Sequence, residues 1–106
     1  FQDKLENTID FYLVDWCGYC KKAKPDIEKL KLEGKLEMTD KGEKLILDIE
    51  NKKFILNQYN CDKDKDICEA ANIEGYPTVK VTYNGKTQEL RGPVTASNIK
   101  KQIQQL

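Results

Sequence analysis

Two cysteines, Cys17 and Cys20, stand three positions apart in "DWCGYCKK" (15–22), and two more follow at Cys61 and Cys68. They are the main chemical resource of a chain that has no histidine. That absence removes Ser–His and Cys–His catalytic pairs and every zinc site that needs an imidazole. Three uses of a Cys-x-x-Cys remain open on its own: a redox pair, half of a metal cage, or a structural staple. A zinc ribbon wants a second closely spaced pair, whereas six residues separate Cys61 from Cys68. Redox is the favoured reading, and no metal or bound organic cofactor is expected. Disulfide exchange needs a thiolate near neutral pH, open to a partner disulfide, with a second thiol close by.

The elements around the motif must supply those conditions. Ile9 to Val14 reads as a buried strand ending at the motif. Beyond it Cys20, Ala23, Ile27 and Leu30 recur at helical spacing, which marks one apolar face. The helix is expected to begin near Cys17, stop before Gly34 and kink at Pro25. Cys17 then sits at a helix N-terminus, where free backbone N–H groups favour its anion. Cys20 lies one turn further in, shielded on the apolar face. Cys17 therefore attacks, and Cys20 resolves.

Further along, "KLILDI" (44–49) and "KFILNQYN" (53–60) read as a hairpin. A short helix follows with Asp62 or Asp64 as its cap, then a second hairpin over 78–91 turning at Asn84-Gly85. Thr95 caps a last helix carrying Ile99, Ile103 and Leu106 on one face. No repeat or linker interrupts the 106 residues, so one α/β domain over 1–106 is expected.

Charge narrows the function classes. Lys plus Arg equals Asp plus Glu at 18 each, so no net field draws the chain to nucleic acid or acidic lipid. The longest apolar runs are a few residues, too short for a membrane helix. "DKDKD" (62–66) fails as a calcium loop, with Ile67 where Gly is needed and Ile73 where the bidentate Glu belongs. "KKAK" (21–24) reads as the wet side of a helix, from which Lys21 or Lys22 could raise the potential near the thiolate.

"WCGYC" after a strand, "GYPT" leading into a hairpin and "RGP" before a last helix resemble the thioredoxin superfamily. The chain is most similar to the catalytic, a-type domains of protein disulfide isomerases. The segment "NCDKDKDICEAANIEGYPTVKVTYNG" resembles the second half of such a domain, paired cysteines included. The resemblance implies a thioredoxin-like fold, with a mixed central sheet flanked by helices. It implies a cis Tyr76-Pro77 bond facing Cys17, with Trp16, Tyr76, Pro77 and Gly92 around a substrate groove. It also implies that Cys61 and Cys68 form a structural disulfide. Their alternatives, free buried thiols or a regulatory pair, stay open. The implied partners are protein thiols and disulfides, with a reductase, glutathione or an oxidase for the electrons. A monomer is expected. An isomerase would work in the endoplasmic reticulum or another oxidising compartment, a reductase in the cytoplasm.

The chain departs from that pattern at three places. Tyr19 stands where isomerases have His and thioredoxins Pro. Phe11 occupies the position of a buried acid that relays protons to the second cysteine, and Asp10 is one place off. Val94 replaces the arginine after "GP", with Arg91 nearby. Thioredoxins also open with a strand and helix for which the eight residues before Ile9 leave no room. The sheet edge at 53–60 would then be bare, a pairing hazard. An extra edge strand from the insertion at about 34–52, with 44–49 antiparallel to 53–60, is expected to cover it. Besides the isomerase reading, a thioredoxin-type reductase and a non-catalytic peptide-binding or assembly domain remain as alternatives.

Overall fold

The computed structural model describes residues 6–106. Strand β1 (Thr8–Leu13) leads to helix α1 (Gly18–Glu33), followed by β2 (Lys35–Thr39), β3 (Gly42–Ile49) and β4 (Lys52–Asn60). Then come α2 (Lys65–Ala70), β5 (Thr78–Tyr83), β6 (Lys86–Glu89) and α3 (Ala96–Gln104). The strands form one mixed sheet in the order β2-β3-β4-β1-β5-β6. β1 runs parallel to β4, and every other neighbouring pair is antiparallel.

Alternation along the strands assigns the two sheet faces. On β1, Ile9, Phe11 and Leu13 point one way, joined by Phe54, Leu56, Val79, Val81 and Leu47 from neighbouring strands. Helices α1 and α3 cover this face with Cys20, Ala23, Ile27, Leu30, Ile99 and Ile103, all buried. Each fully buried Leu, Ile or Phe contributes about 1.5–3 kcal/mol, so this layer anchors the motif-bearing helix. Thr8, Asp10 and Tyr12 point to the opposite face, where Tyr12 stacks on Tyr59 with ring centroids 5.3 Å apart. There Lys80 donates to the Ala71 carbonyl at the end of α2.

The start of α1 is set by Cys17, whose backbone is extended while its carbonyl takes the first helical bond from Lys21 N–H (3.1 Å). The helix runs on through Pro25 to Glu33. Gly34 ends it, but in an extended conformation rather than the left-handed one common after helices. Glycine is needed there for another reason. A Cβ would sit 3.0 Å from the Ile46 carbonyl oxygen, because β3 passes directly beneath the turn.

β3 pairs antiparallel with β4, Ile46 opposite Ile55 and Ile49 opposite Lys52, and so covers the edge left bare in the sequence reading. Glu50 and Asn51 make the turn at φ 51° and 66°, the left-handed pair of a tight hairpin, and Asp48 accepts from Asn51 N–H (3.0 Å). The insertion supplies two strands rather than one. β2 pairs outside β3 and becomes the outer edge of the sheet, unforeseen in the sequence. Its alternation of Lys35 and Glu37 with Leu36 and Met38 is the period-2 signal, and its near-complete exposure is why the signal is weak.

Candidate active site

The motif sits at the end of β1, where Cys61 N–H bonds the Leu13 carbonyl (2.8 Å) and fixes β4 beside it. Cys17 is half-buried and Cys20 wholly buried, although they lie one helical turn apart. The environments drive their acidities in opposite directions. The Cys17 thiol is held below its ordinary value, first by the backbone N–H of Cys20, then by the Cys20 thiol and the N–H of Tyr19. Burial pushes the Cys20 thiol up, and the neighbouring Cys17 adds to the rise. One thiol is prepared to be an anion, the other to keep its proton.

Across from Cys17 lies the Tyr76-Pro77 bond, which is cis. The Cys17 thiol donates to the Tyr76 carbonyl at 3.6 Å. The Tyr76 ring meets Trp16 edge-on, with centroids 6.1 Å apart, and Trp16 Nε1 donates to Asp62 (3.3 Å). Trp16 and Tyr19 remain about 70% exposed, two large aromatic rings held in water beside a thiol. Pro77, Gly92, Val94 and Tyr19 line a groove of about 370 Å³ next to Cys17's helix. Gly92 has φ 84°, and a Cβ there would press to 3.2 Å of Asn98 Nδ2. That amide holds the loop by donating to the Arg91 and Pro93 carbonyls (2.9 and 2.8 Å).

The structure thus brings Trp16, Cys17, Cys20, Tyr76, Pro77 and Gly92 to one end of the sheet. Cys61 and Cys68 do not join that dithiol. They are bonded to each other, tying the end of β4 to α2 with Cα atoms 5.7 Å apart. Among the described residues no group of three or more His, Cys, Asp or Glu could hold a metal. The acids of "DKDKD" have other work: Asp62 accepts from Trp16, and Asp64 accepts from Asn60 N–H (3.3 Å).

The departures are visible in three dimensions. Phe11 is fully buried at the relay-acid position. The pairing of β1 with β4 is regular through residues 8–13, so no bulge rotates Asp10 toward Cys20. Asp10 faces the other side, accepting from Thr8 Oγ1 (3.1 Å) and Asn57 Nδ2 (2.9 Å). The Lys22 ammonium lies over the Tyr19 ring, 5.7 Å from its centroid. Lys24 favours the Cys20 anion, against the larger effect of burial. Sequence reasoning passed over it, although its i,i+4 spacing from Cys20 was there to be read.

Known proteins share this pattern. The thioredoxin family model matches residues 1–105. A probable protein disulfide-isomerase A4 of Caenorhabditis elegans is 30% identical over 105 residues, covering 95% of this chain and 15% of that protein. A probable protein disulfide-isomerase A6 of Medicago sativa is 29% identical over 93 residues, covering 86% of this chain and 21% of that protein. The chain therefore spans less than a quarter of these relatives. Among solved structures, thioredoxin-2 of the malaria parasite superimposes with a TM-score of 0.70 at 14% identity, covering 99% of this chain and 87% of that one. Human ERp44 does so at 0.68 and 22%, covering 94% of this chain and 27% of that one. Those two likenesses show the fold. Cys17 and Cys20 stand as a free Cys-x-x-Cys pair within the matched region. The chain belongs to the thioredoxin family.

Proposed function

We propose that this chain, acting as a self-contained, monomeric domain, exchanges disulfides with protein substrates in the manner of a protein disulfide isomerase. The observation that carries the reading is the contrast within one helical turn. A half-buried thiol with a lowered pKa faces the Tyr76 carbonyl, and a buried thiol with a raised pKa lies behind it. In the reducing direction the Cys17 thiolate attacks a substrate disulfide, forming a mixed disulfide and releasing one substrate thiolate. Cys20 then gives up its proton and attacks Cys17 Sγ. The Cys17–Cys20 bond forms, the second substrate thiolate leaves, and two electrons have passed to the substrate. Oxidation and reshuffling use the same steps reversed or halted at the mixed disulfide.

The protein backbone helps by presenting a docking edge. An extended substrate segment would pair with the main chain at Tyr76, a form of strand addition, with Trp16, Pro77 and Gly92 shaping its sides. A reductase, glutathione or an oxidase of the host compartment would reset the dithiol.

A second reading, a thioredoxin-type reductase, has one observation in its favour. Tyr19 brings no positive charge to Cys17, whose anion leans on backbone N–H groups and the Cys20 thiol. The test is the reduction potential of Cys17–Cys20 in glutathione buffers. A value near about −180 mV supports the isomerase reading, and one near about −270 mV replaces it with the reductase.

A further inference from the structure

Release of the mixed disulfide requires Cys20 to ionise inside the core, where burial opposes it. With Phe11 in the relay position and Asp10 turned away, no carboxylate from β1 reaches the thiol. We propose that Lys24, paired with Asp15 across the mouth of the motif, is the positioning residue that readies Cys20 as the resolving nucleophile. The proposal rests on the exchange reading given above.

The geometry is local and specific. Lys24 follows Cys20 by four residues, which places both on one side of α1. Its Nζ lies 3.7 Å from Asp15 Oδ1, and the side chain is less than half exposed. Asp15 is itself held, because Asn60 Nδ2 at the end of β4 donates to its other oxygen (3.1 Å). The pair spans the helix and the loop that carries Cys17, with the Lys24 side chain 45% and the Asp15 side chain 69% exposed. Val14, directly before Asp15, adds a backbone contact that also favours the Cys20 anion. Of the remaining charged groups, Cys17 opposes ionisation of Cys20. Asp26 of α1 is turned to the Ala96 N–H of α3 (2.9 Å), and Lys22 to Tyr19. Asp10 of β1 occupies the opposite sheet face.

In the step assigned to Lys24 the ammonium keeps its proton. Cys20 releases its own proton to water, and the thiolate that forms near that charge attacks Cys17 Sγ. The Cys17–substrate bond breaks as the Cys17–Cys20 bond forms, and the departing thiolate is protonated by water. The charge lowers the energy of the attacking anion and changes no other part of the balance.

The experiment follows the mixed disulfide directly. Reduced protein is mixed with oxidised glutathione, quenched in acid at millisecond intervals and weighed by mass spectrometry. Lys24→Met should slow release of glutathione from Cys17 about three- to tenfold and move its pH midpoint upward, while Lys24→Arg restores both. First attack by Cys17, timed in a Cys20→Ser background, should change less than about twofold with Lys24→Met. Release at the original rate and pH midpoint in Lys24→Met would overturn the proposal, as would equal slowing of both steps, which marks a merely structural role. If the unaltered protein forms no mixed disulfide at all, the exchange reading fails with it.

Discussion

Cys17–Cys20 and Cys61–Cys68 lie at the same end of the sheet, yet one pair is free and the other bonded. Trp16, directly before Cys17, even reaches across to Asp62, directly after Cys61. What separates the pairs is position in local structure. Cys17 caps a sixteen-residue helix, where the backbone N–H groups of Cys20 and Tyr19 lower its pKa, and it keeps a half-open face. Cys61 and Cys68 are both nearly fully buried, one at a strand end and one in a short helix. On the proposed exchange the same side chain serves as a nucleophile in one place, and in the other it is bonded as a clamp. Thiol chemistry in this fold is decided by exposure and by backbone N–H groups, with cysteine as the common material.

The sharpest way to break that comparison is to remove one pair at a time. Cys17→Ser should abolish turnover of a protein disulfide, such as that of insulin, and leave the melting temperature within a few degrees. Cys20→Ser should leave a mixed disulfide that accumulates on Cys17, detectable by mass. The double change Cys61→Ser, Cys68→Ser should do the reverse. Opening so short a loop costs about 2–3 kcal/mol on the chain-entropy estimate, read as a lower urea midpoint. Turnover below that midpoint should persist.

The pair's divided acidities give a pH prediction whose sign differs for the two sulfurs. Cys17 is depressed, so its contribution to the stability of the reduced protein is full above the unfolded thiol value of about 8.5. It is lost as pH falls through the depressed pKa. Cys20 is raised, so its contribution is full below about 8.5 and lost as pH climbs through the raised pKa. The urea midpoint of the reduced protein, relative to the Cys17–Cys20 oxidised form, should therefore peak near about pH 8.5. A flat difference from about pH 6 to about pH 10 would show that the sulfurs do not have these environments.

Two smaller effects sharpen the picture. Gly92→Ala forces a side chain into a left-handed position against Asn98 and should cost about 1 kcal/mol or more. It should also weaken binding of an extended peptide, measured by calorimetry with a Cys17→Ser, Cys20→Ser protein. Asp62→Ala severs the exposed hydrogen bond between the two neighbourhoods. It should change stability by less than about 1 kcal/mol and leave Cys61–Cys68 oxidised, showing that the pairs are neighbours but independent.

The contrast in burial at the motif was legible in the sequence because it depends on local facts. A strand before Cys17, a helix after it and the apolar spacing of Cys20 with Ala23 and Ile27 suffice to place one thiol outside and one inside. The hairpin of β3 and β4 was legible for the same reason, from two dense runs of apolar residues. β2 was not, because a five-residue edge strand in water owes its order to pairing with β3 and buries little of its own. The need for glycine at residue 34 was likewise invisible, since the clash belongs to Ile46 twelve positions away. Lys24 was within reach of helical spacing, but its anchors, Asp15 and Asn60, come from other elements. What stayed hidden was set by contacts distant along the chain.

The most direct test of the central claim is the redox state of all four cysteines across a series of glutathione buffers, trapped by alkylation and read by peptide mass. Cys17–Cys20 should exchange reversibly through one two-electron transition while Cys61–Cys68 stays bonded throughout. If Cys61–Cys68 opens first, or Cys17–Cys20 fails to exchange, the assignment of nucleophile and clamp is contradicted.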